Sequence, residues 1–410
     1  MNTGTRARHL EEVADLLWPE PRRWVVHRNA ESNDETPVQR FVIVPSARSP
    51  RLVVPAETGI GRAAVRNLHH GARMRDRLRA ETLARLLGTA LGRRVLRDRL
   101  DVYSAEPISR AGGSLQLLLD EITGTATFWA MPVSRARANR KPVLQLLDGE
   151  GHAVAFVKVG TNELTRGLVR AEAAALRDIP RRMSQLQAPE VISSTTWRSL
   201  DLLVLSPLPL AGAHGEPPRS QVEKSALELA EVAGVHRAPL PETSHWTRLG
   251  ARLRSATDPR SRELARVWRS LTDRCTNAPL AIGSWHGDWA PWNMAWNGNR
   301  LYVWDFERFE REVPLGFDLV HYDLQTRILN PKVRQFDVIL DRHRHAPELL
   351  QPFGVDAADS SLVFIAYLIE IASRWIADRQ DAAGDWSAVL DAIVRAAVRG
   401  GDRVIAEHRS

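Results

Sequence analysis

The spacing of apolar positions changes along this chain, and the change divides it. In the first half, short apolar runs are separated by turns. Residues 24–27, 40–44 and 51–54 read as short antiparallel strands, with a polar turn at 29–36 between the first two. Two helices follow, 61–68 running on to Leu78 and then 80–91. A stretch rich in Pro, Gly and Ser at 104–113 reads as a boundary. Beyond it, 115–122 and 125–133 read as strands and 134–140 as a loop. Residues 142–147 and 152–159, joined by Asp148-Gly149-Glu150-Gly151, read as a hairpin. Residues 168–177 are a helical run, and 202–205 a buried strand entering Ser206-Pro207-Leu208.

From Pro217 onward the period is helical. Residues 223–236 carry Leu227, Leu229, Ala230, Val232 and Ala233 on one face. Further helices are predicted at 246–253, 261–271, 336–343, 360–378 and 386–408. Strands first and helices afterwards predict an α+β protein. The 410 residues suffice for two or three compact units. The divisions expected are an N-terminal α+β cap at 1–110, a sheet-containing unit at 111–208 and a helical unit at 209–410.

Composition adds a compartment. Cys275 is the sole cysteine, so there is no internal disulfide framework, and a reducing, cytoplasmic setting is expected. The N-terminus leads into a polar helix without the apolar core of a signal peptide. The longest apolar run, 362–369, is too short to span a bilayer, so no membrane partner is expected.

Charge is uneven. Residues 1–110 hold 20 Arg against 13 acids, and the remainder balances at 36 against 36, so the surplus of +7 lies in the N-terminal quarter. Arg62 to Arg99 alone holds 11 Arg and three acids. A basic helix pair suits nucleic acid. It lacks helix-turn-helix spacing and interleaved aromatics, and in a chain this rich in Arg such a face is more often simply solvated. Nucleic acid is therefore the lesser expectation.

The densest chemistry lies at Trp285-His286-Gly287-Asp288-Trp289-Ala290-Pro291-Trp292-Asn293, followed by an apolar strand ending in Asp305. The pattern H-G-D-x-x-x-x-N and a later Asp resembles the H-R-D-x-x-x-x-N and D-F-G of protein kinases, in which one Asp orients the attacking hydroxyl and the Asn and the later Asp hold magnesium on ATP. A Trp-rich turn between two core elements is the plainer alternative. A second feature agrees with the first. Lys158 sits inside the apolar strand 152–159, and Lys occurs elsewhere only at 141, 224 and 332 in a chain that otherwise uses Arg. A buried Lys needs a partner, and Glu172 in the following helix is the candidate. The alternative is an edge-strand Lys whose ammonium reaches water.

Together these motifs resemble the aminoglycoside phosphotransferase and choline kinase-like family, over roughly residues 120–400 and most strongly at 284–320. The resemblance implies a bilobal protein kinase-like fold, with an antiparallel-sheet N-lobe and a mainly helical C-lobe; here the cap would be extra. It implies ATP and magnesium as cofactors and the alcohol group of a small molecule as acceptor. Asp288 would be the catalytic base, and Asn293 and Asp305 the metal ligands. Lys158, fixed by Glu172, would grip the α/β-phosphates. Ser206 and Leu208 would line the adenine site at the hinge. Asp318, in Pro314-Leu315-Gly316-Phe317-Asp318-Leu319, would brace the loop, although a helix N-cap is an alternative.

The sequence departs from the protein-kinase pattern at 134–141, where the expected phosphate-covering loop has no glycine. Glu307 reads either as a carboxylate serving the site or as an exposed one. The five Trp at 285, 289, 292, 296 and 304 offer a stacking platform for the acceptor, or else pack the loop onto the core. Acids at Asp356, Asp359, Glu370, Asp378, Asp381 and Asp385 suit a cationic acceptor, or simply a solvated helix surface. The function expected is an ATP-dependent small-molecule kinase. A catalytically silent kinase-like binding or regulatory protein and a nucleic-acid binder are the alternatives.

Overall fold

The computed structural model describes residues 3–28, 35–68, 74–104, 113–134, 139–181, 183–210, 213, 216–276, 278–330, 332–380 and 386–406. Most of the turn at 29–36, most of the boundary at 104–113, the centre of the loop at 134–140, and the acids Asp381 and Asp385 lie outside them. The chain forms two compact units. One comprises residues 1–136, 140–173 and 189–215; the other 137–139, 174–188 and 216–410. The α+β class expected from the sequence is the class found.

The first unit is built on one antiparallel sheet of nine strands. Its strands are β1 (Arg23–His27), β2 (Gln39–Val44), β3 (Leu52–Pro55), β4 (Arg99–Tyr103), β5 (Phe128–Pro132), β6 (Val143–Leu147), β7 (Ala153–Gly160), and, with β8 assigned below to the second unit, β9 (Val191–Trp197) and β10 (Leu200–Leu205). Their order is β1-β4-β2-β3-β5-β6-β7-β10-β9. The sheet is continuous across the expected boundary near 110, because β3 pairs with β5 at Leu52↔Pro132 and Val53↔Met131.

Neighbouring residues on one strand serve different cores, as the two-residue period requires. Ile43, Val53, Trp129 and Leu146 join one apolar cluster, with α1 (Thr3–Leu17) and α5 (Leu115–Thr123). Val42, Val54, Ala130 and Leu147 join the other, with α2 (Thr58–Leu68) and α3 (Met74–Leu87). A short α4 (Ala90–Val95) follows α3. In the Arg-rich segment, Glu81 accepts from both Arg66 and Arg85, so part of its charge is neutralised locally.

Two expectations are corrected here. Residues 115–122 are a helix, not a strand. Ser114 Oγ accepts from Leu117 N at 3.0 Å at its start, Gly124 closes it in the left-handed conformation, and Leu115 and Leu119 are buried one helical turn apart. The unbroken apolar run hid that spacing. The N-terminal helix is amphipathic rather than polar: Leu10, Val13, Ala14 and Leu17 are buried at i, i+3, i+4 and i+7.

The second unit is mainly helical. The latter part of α6 (Glu163–Asp178) leads through the two-residue strand β8 (Leu186–Gln187), and the unit resumes at α7 (Arg219–Ala230). There follow β11 (His236–Ala238), α8 (Ser244–Ser255), α9 (Pro259–Cys275), β12 (Leu280–Trp285), β13 (Met294–Trp296), β14 (Leu301–Val303) and β15 (Glu310–Pro314). The remaining helices are α10 (Phe317–Ile328), α11 (Gln335–Arg344), α12 (Ala346–Leu350), α13 (Ala357–Ala377) and α14 (Ser387–Ala406). Two three-stranded sheets, β11-β12-β15 and β13-β14-β8, hold the loop of interest at their ends.

The helix expected at 223–236 stops early. After Ala230 a 3₁₀ turn leads to Gly234 at φ 78°, and His236 then pairs with Ile282 as a strand. Tertiary pairing with β12 overrides the helical pattern there. Helix α13 is long and apolar enough by composition to cross a bilayer, but 83% of its apolar window is buried inside the protein. It is a core helix, and Tyr367 on it packs against Phe317 with ring centroids 5.7 Å apart.

Candidate active site

In the first unit, Lys158 lies on β7, flanked on one side by β6 (Val143↔Lys158) and on the other by β10 (Leu203↔Lys158). A central strand gives its ammonium no edge from which to reach water. Its Nζ instead lies 2.6 Å from each carboxylate oxygen of Glu172 on α6. Both residues are buried. Ser206 follows β10 and is tied to Glu190 twice, its N–H donating to Glu190 O at 2.9 Å and its Oγ accepting from Glu190 N at 2.9 Å. The Ser206 amide is thus already paired. Leu208 O accepts from Leu210 N at 2.8 Å.

In the second unit, β12 delivers Trp285 and His286 into the motif loop. Gly287 turns there at φ 82°, and a β-carbon on it would collide with the carbonyl of Arg308, so only glycine fits. Asp318 on α10 accepts from His286 N at 2.7 Å and Gly287 N at 3.2 Å. The N-cap of α10 is Gly316, so Asp318 braces the loop rather than capping the helix. Burial pushes the Asp318 carboxyl up to about 7, against the two amides that favour its charged form.

His286 is buried and holds two segments together. Its Nδ1 accepts from Asp288 N at 3.1 Å, which places the proton on Nε2, and Nε2 lies 3.1 Å from Trp304 O. Burial lowers its pKa to about 4. Asp305 follows Trp304 in the left-handed region, at φ 73° and ψ 50°, a conformation uncommon for a residue with a β-carbon. Glu307, in the next turn, is buried rather than exposed.

Asp288 is held at both carboxylate oxygens. Oδ2 accepts from Asn293 Nδ2 at 2.8 Å, and Nδ2 also reaches Asp288 O at 2.9 Å. Oδ1 lies 3.0 Å from Nε2 of His321 on α10. Partial burial works to raise the Asp288 carboxyl, but the His321 bond and nearby Arg374 hold it below its ordinary value. The bonds from Asn293 Nδ2 leave the oxygen Oδ1 of that amide for another partner.

The sequence reading missed His321, Tyr367 and Arg374. Tyr367 Oη is 3.0 Å from His321 Nδ1, and Arg374, buried beside the Trp285 ring, donates to Gly287 O at 2.7 Å. His321 stands three residues after Asp318, a spacing that places both on one helix face. That was the one available signal. Tyr367 and Arg374 come from a distant helix and left none.

A cavity of ≈ 130 Å³ opens beside Asp288 and includes Trp292, Ile371, Trp375 and Trp386 in its lining. Trp285 and Trp289 are buried, whereas Trp292 is 46% exposed. Of the five Trp singled out by the sequence, Trp292 is therefore the one that faces this cavity. Of the acids suggested for a cationic acceptor, Asp378 pairs with Arg308 and Glu370 with Arg252, and Asp359 lies 3.9 Å from Arg237.

No family model matches the chain, and no curated protein does. Several solved structures match part of the chain. A fructosamine-3-kinase candidate from Haemophilus somnus 129PT is 11% identical, over 71% of this chain and 96% of that one, with a TM-score of 0.43. A choline/ethanolamine kinase family protein from Mesorhizobium loti is 15% identical, over 65% and 89%, at 0.39. An ethanolamine kinase from Plasmodium vivax is 12% identical, over 63% and 79%, at 0.40. These neighbours are small-molecule kinases, the class that the motifs of this chain resemble. At such identities and TM-scores, the functional case rests on the chain's own residues.

Proposed function

We propose that this protein is an ATP-dependent phosphotransferase that moves the γ-phosphate to an alcohol group of a small molecule, with Asp288 as the base. The observation that carries the reading is the Asp288 carboxylate, ionised, partly exposed beside a cavity, and fixed by Asn293 and His321. Geometry of this kind suits a group that orients a hydroxyl and takes its proton late in phosphoryl transfer. Asp288 would accept a hydrogen bond from the acceptor alcohol and hold its oxygen in line.

Magnesium fits the residues present. A hard cation takes oxygen ligands; Asn293 has its amide nitrogen committed and its oxygen remaining, and Asp305 supplies a carboxylate from a left-handed turn. Those two residues would hold the ion, whose charge would offset that developing on the transferred phosphoryl group. Lys158, fixed by Glu172, would steady the α/β-phosphates, and the 206–208 segment would meet the adenine.

The cavity's Trp side chains support an aminoglycoside, amino alcohol or sugar-like acceptor held by ring contacts, with Asp378 at the cavity already paired to Arg308. A reducing, cytoplasmic setting belongs to the same proposal. The test is thermal melting with and without Mg-ATP, for wild type and Asp305→Asn. Stabilisation of wild type that is lost in the variant is expected. No shift in either at millimolar nucleotide would favour a silent fold and turn attention to the basic N-terminal region.

A further inference from the structure

We propose that His321 is a positioning residue for Asp288, a neutral imidazole whose Nε2–H fixes Oδ1 of the base while Tyr367 selects its tautomer. The inference rests on the reading of Asp288 as the base. The geometry leaves one direction for the hydrogen bonds. Asp288 receives Asn293 Nδ2 on Oδ2, and its Oδ1 is the acceptor facing His321. Nε2 of His321, 3.0 Å away, must therefore carry the proton. That leaves a lone pair on Nδ1, and Tyr367 Oη, 3.0 Å from it, is the donor. The order is Tyr367 O–H to Nδ1, then Nε2–H to Asp288.

The surroundings keep the ring neutral. It is buried, with its side chain 2% exposed. Burial lowers the His321 pKa, the Asp288 bond works against this, and Arg374 adds to the lowering. A neutral donor at this place does two things. It keeps Asp288 from rotating, since Asn293 holds only the other oxygen, and it adds no further positive charge to that of Arg374 and Arg308. The ring does not touch the reacting atoms in this scheme; it acts through Asp288.

Two measurements test it on the full chain. The first needs no activity: ¹⁵N-histidine-labelled protein, with His321→Gln to assign the signal, read by long-range ¹H–¹⁵N correlation at neutral pH. A neutral ring protonated at Nε2 is expected; an imidazolium or a ring protonated at Nδ1 overturns the proposal. The second is ATP hydrolysis with water as acceptor, for wild type, His321→Leu and His321→Gln. His321→Leu is expected to lower kcat roughly 10- to 100-fold, the effect of one lost bond to a charged group, with KM for ATP changed by less than about threefold. The Gln amide reaches the place of Nε2, so His321→Gln is expected to recover most of the loss. If both variants fold with wild-type melting behaviour and His321→Leu keeps its kcat, or Gln fails to rescue, the positioning role is wrong. Absence of ATP turnover in wild type would instead count against the phosphotransferase reading, and the tautomer measurement would still decide the hydrogen-bond order.

Discussion

The backbone amide of Asp288 donates to Nδ1 of His286 at 3.1 Å, and the same buried ring reaches the carbonyl of Trp304 through Nε2. The loop bearing Asp288 and the turn bearing Asp305 are thereby joined through one imidazole that has to stay neutral. Burial depresses its pKa from 6.5 to about 4. The unfolded chain therefore binds the proton more readily than the native state. Its contribution is complete above about pH 6.5 and is lost as pH falls towards 4. The size expected is on the order of 3 kcal/mol. His321, also depressed, acts in the same direction. Melting curves from pH 8 to 4 should show a shallower acid decline for His286→Asn than for wild type.

Glu172 and Lys158 form a buried ion pair, the Glu172 side chain fully enclosed and that of Lys158 9% exposed. Removing the carboxylate strands an ammonium inside the sheet. Glu172→Ala is expected to cost about 3–5 kcal/mol. Lys158→Met keeps the volume and leaves a carboxyl that can take up a proton, so it should melt higher than Glu172→Ala. If Lys158 grips phosphate, Lys158→Met should also lose the Mg-ATP stabilisation. Denaturant titration and melting with nucleotide separate the two effects.

Asp318 supplies the acceptor for two buried amides, those of His286 and Gly287. Asp318→Ala leaves both without a partner and should cost roughly 3 kcal/mol, since each such group costs about 1–3. Asp318→Asn keeps a carbonyl in place and should cost less. The pH dependence has the opposite sign to that of His286. A carboxyl raised to about 7 in the native state favours folding at low pH, and that contribution is lost as pH rises from about 4 through 7. In Asp318→Asn this decline should be absent, which paired melts at pH 5 and pH 8 would reveal.

Trp289 and Trp292 are three residues apart and serve different ends. Trp289 is buried and Trp292 is 46% exposed beside the cavity. Trp289→Ala should cost about 3–5 kcal/mol through the void it leaves. Trp292→Ala should change stability by less than about 0.5 kcal/mol, and should raise the KM of an acceptor once one is found. Equal melting temperatures for the two variants would contradict this division.

Much of the site was legible because its spacing is local. His286, Asp288 and Asn293 share one loop of fixed backbone geometry, and Asp305 ends the strand pair that leaves it. Lys158 stood out because an apolar strand rarely carries an ammonium, and Glu172 followed from its need for a partner. Helices α8 and α9 were legible at 246–253 and 261–271, and the structure extends each to a side-chain N-cap, Thr243 and Asp258. The tertiary structure alone decided the rest. The leucine run at 115–119 fits a strand or a helix, and burial against the sheet chose the helix. The pairing of β3 with β5, which joins the strands of the first unit into one sheet, is set by edges meeting rather than by any local signal. His321 and Tyr367 lie 33 and 46 positions from the groups they touch, and Arg308 lies 70 from Asp378. Contacts at such distances depend on how helices pack, and no period along the chain encodes which side chains will face each other there. Sequence determined which chemistry is present; packing determined which groups orient it and which acids are already neutralised.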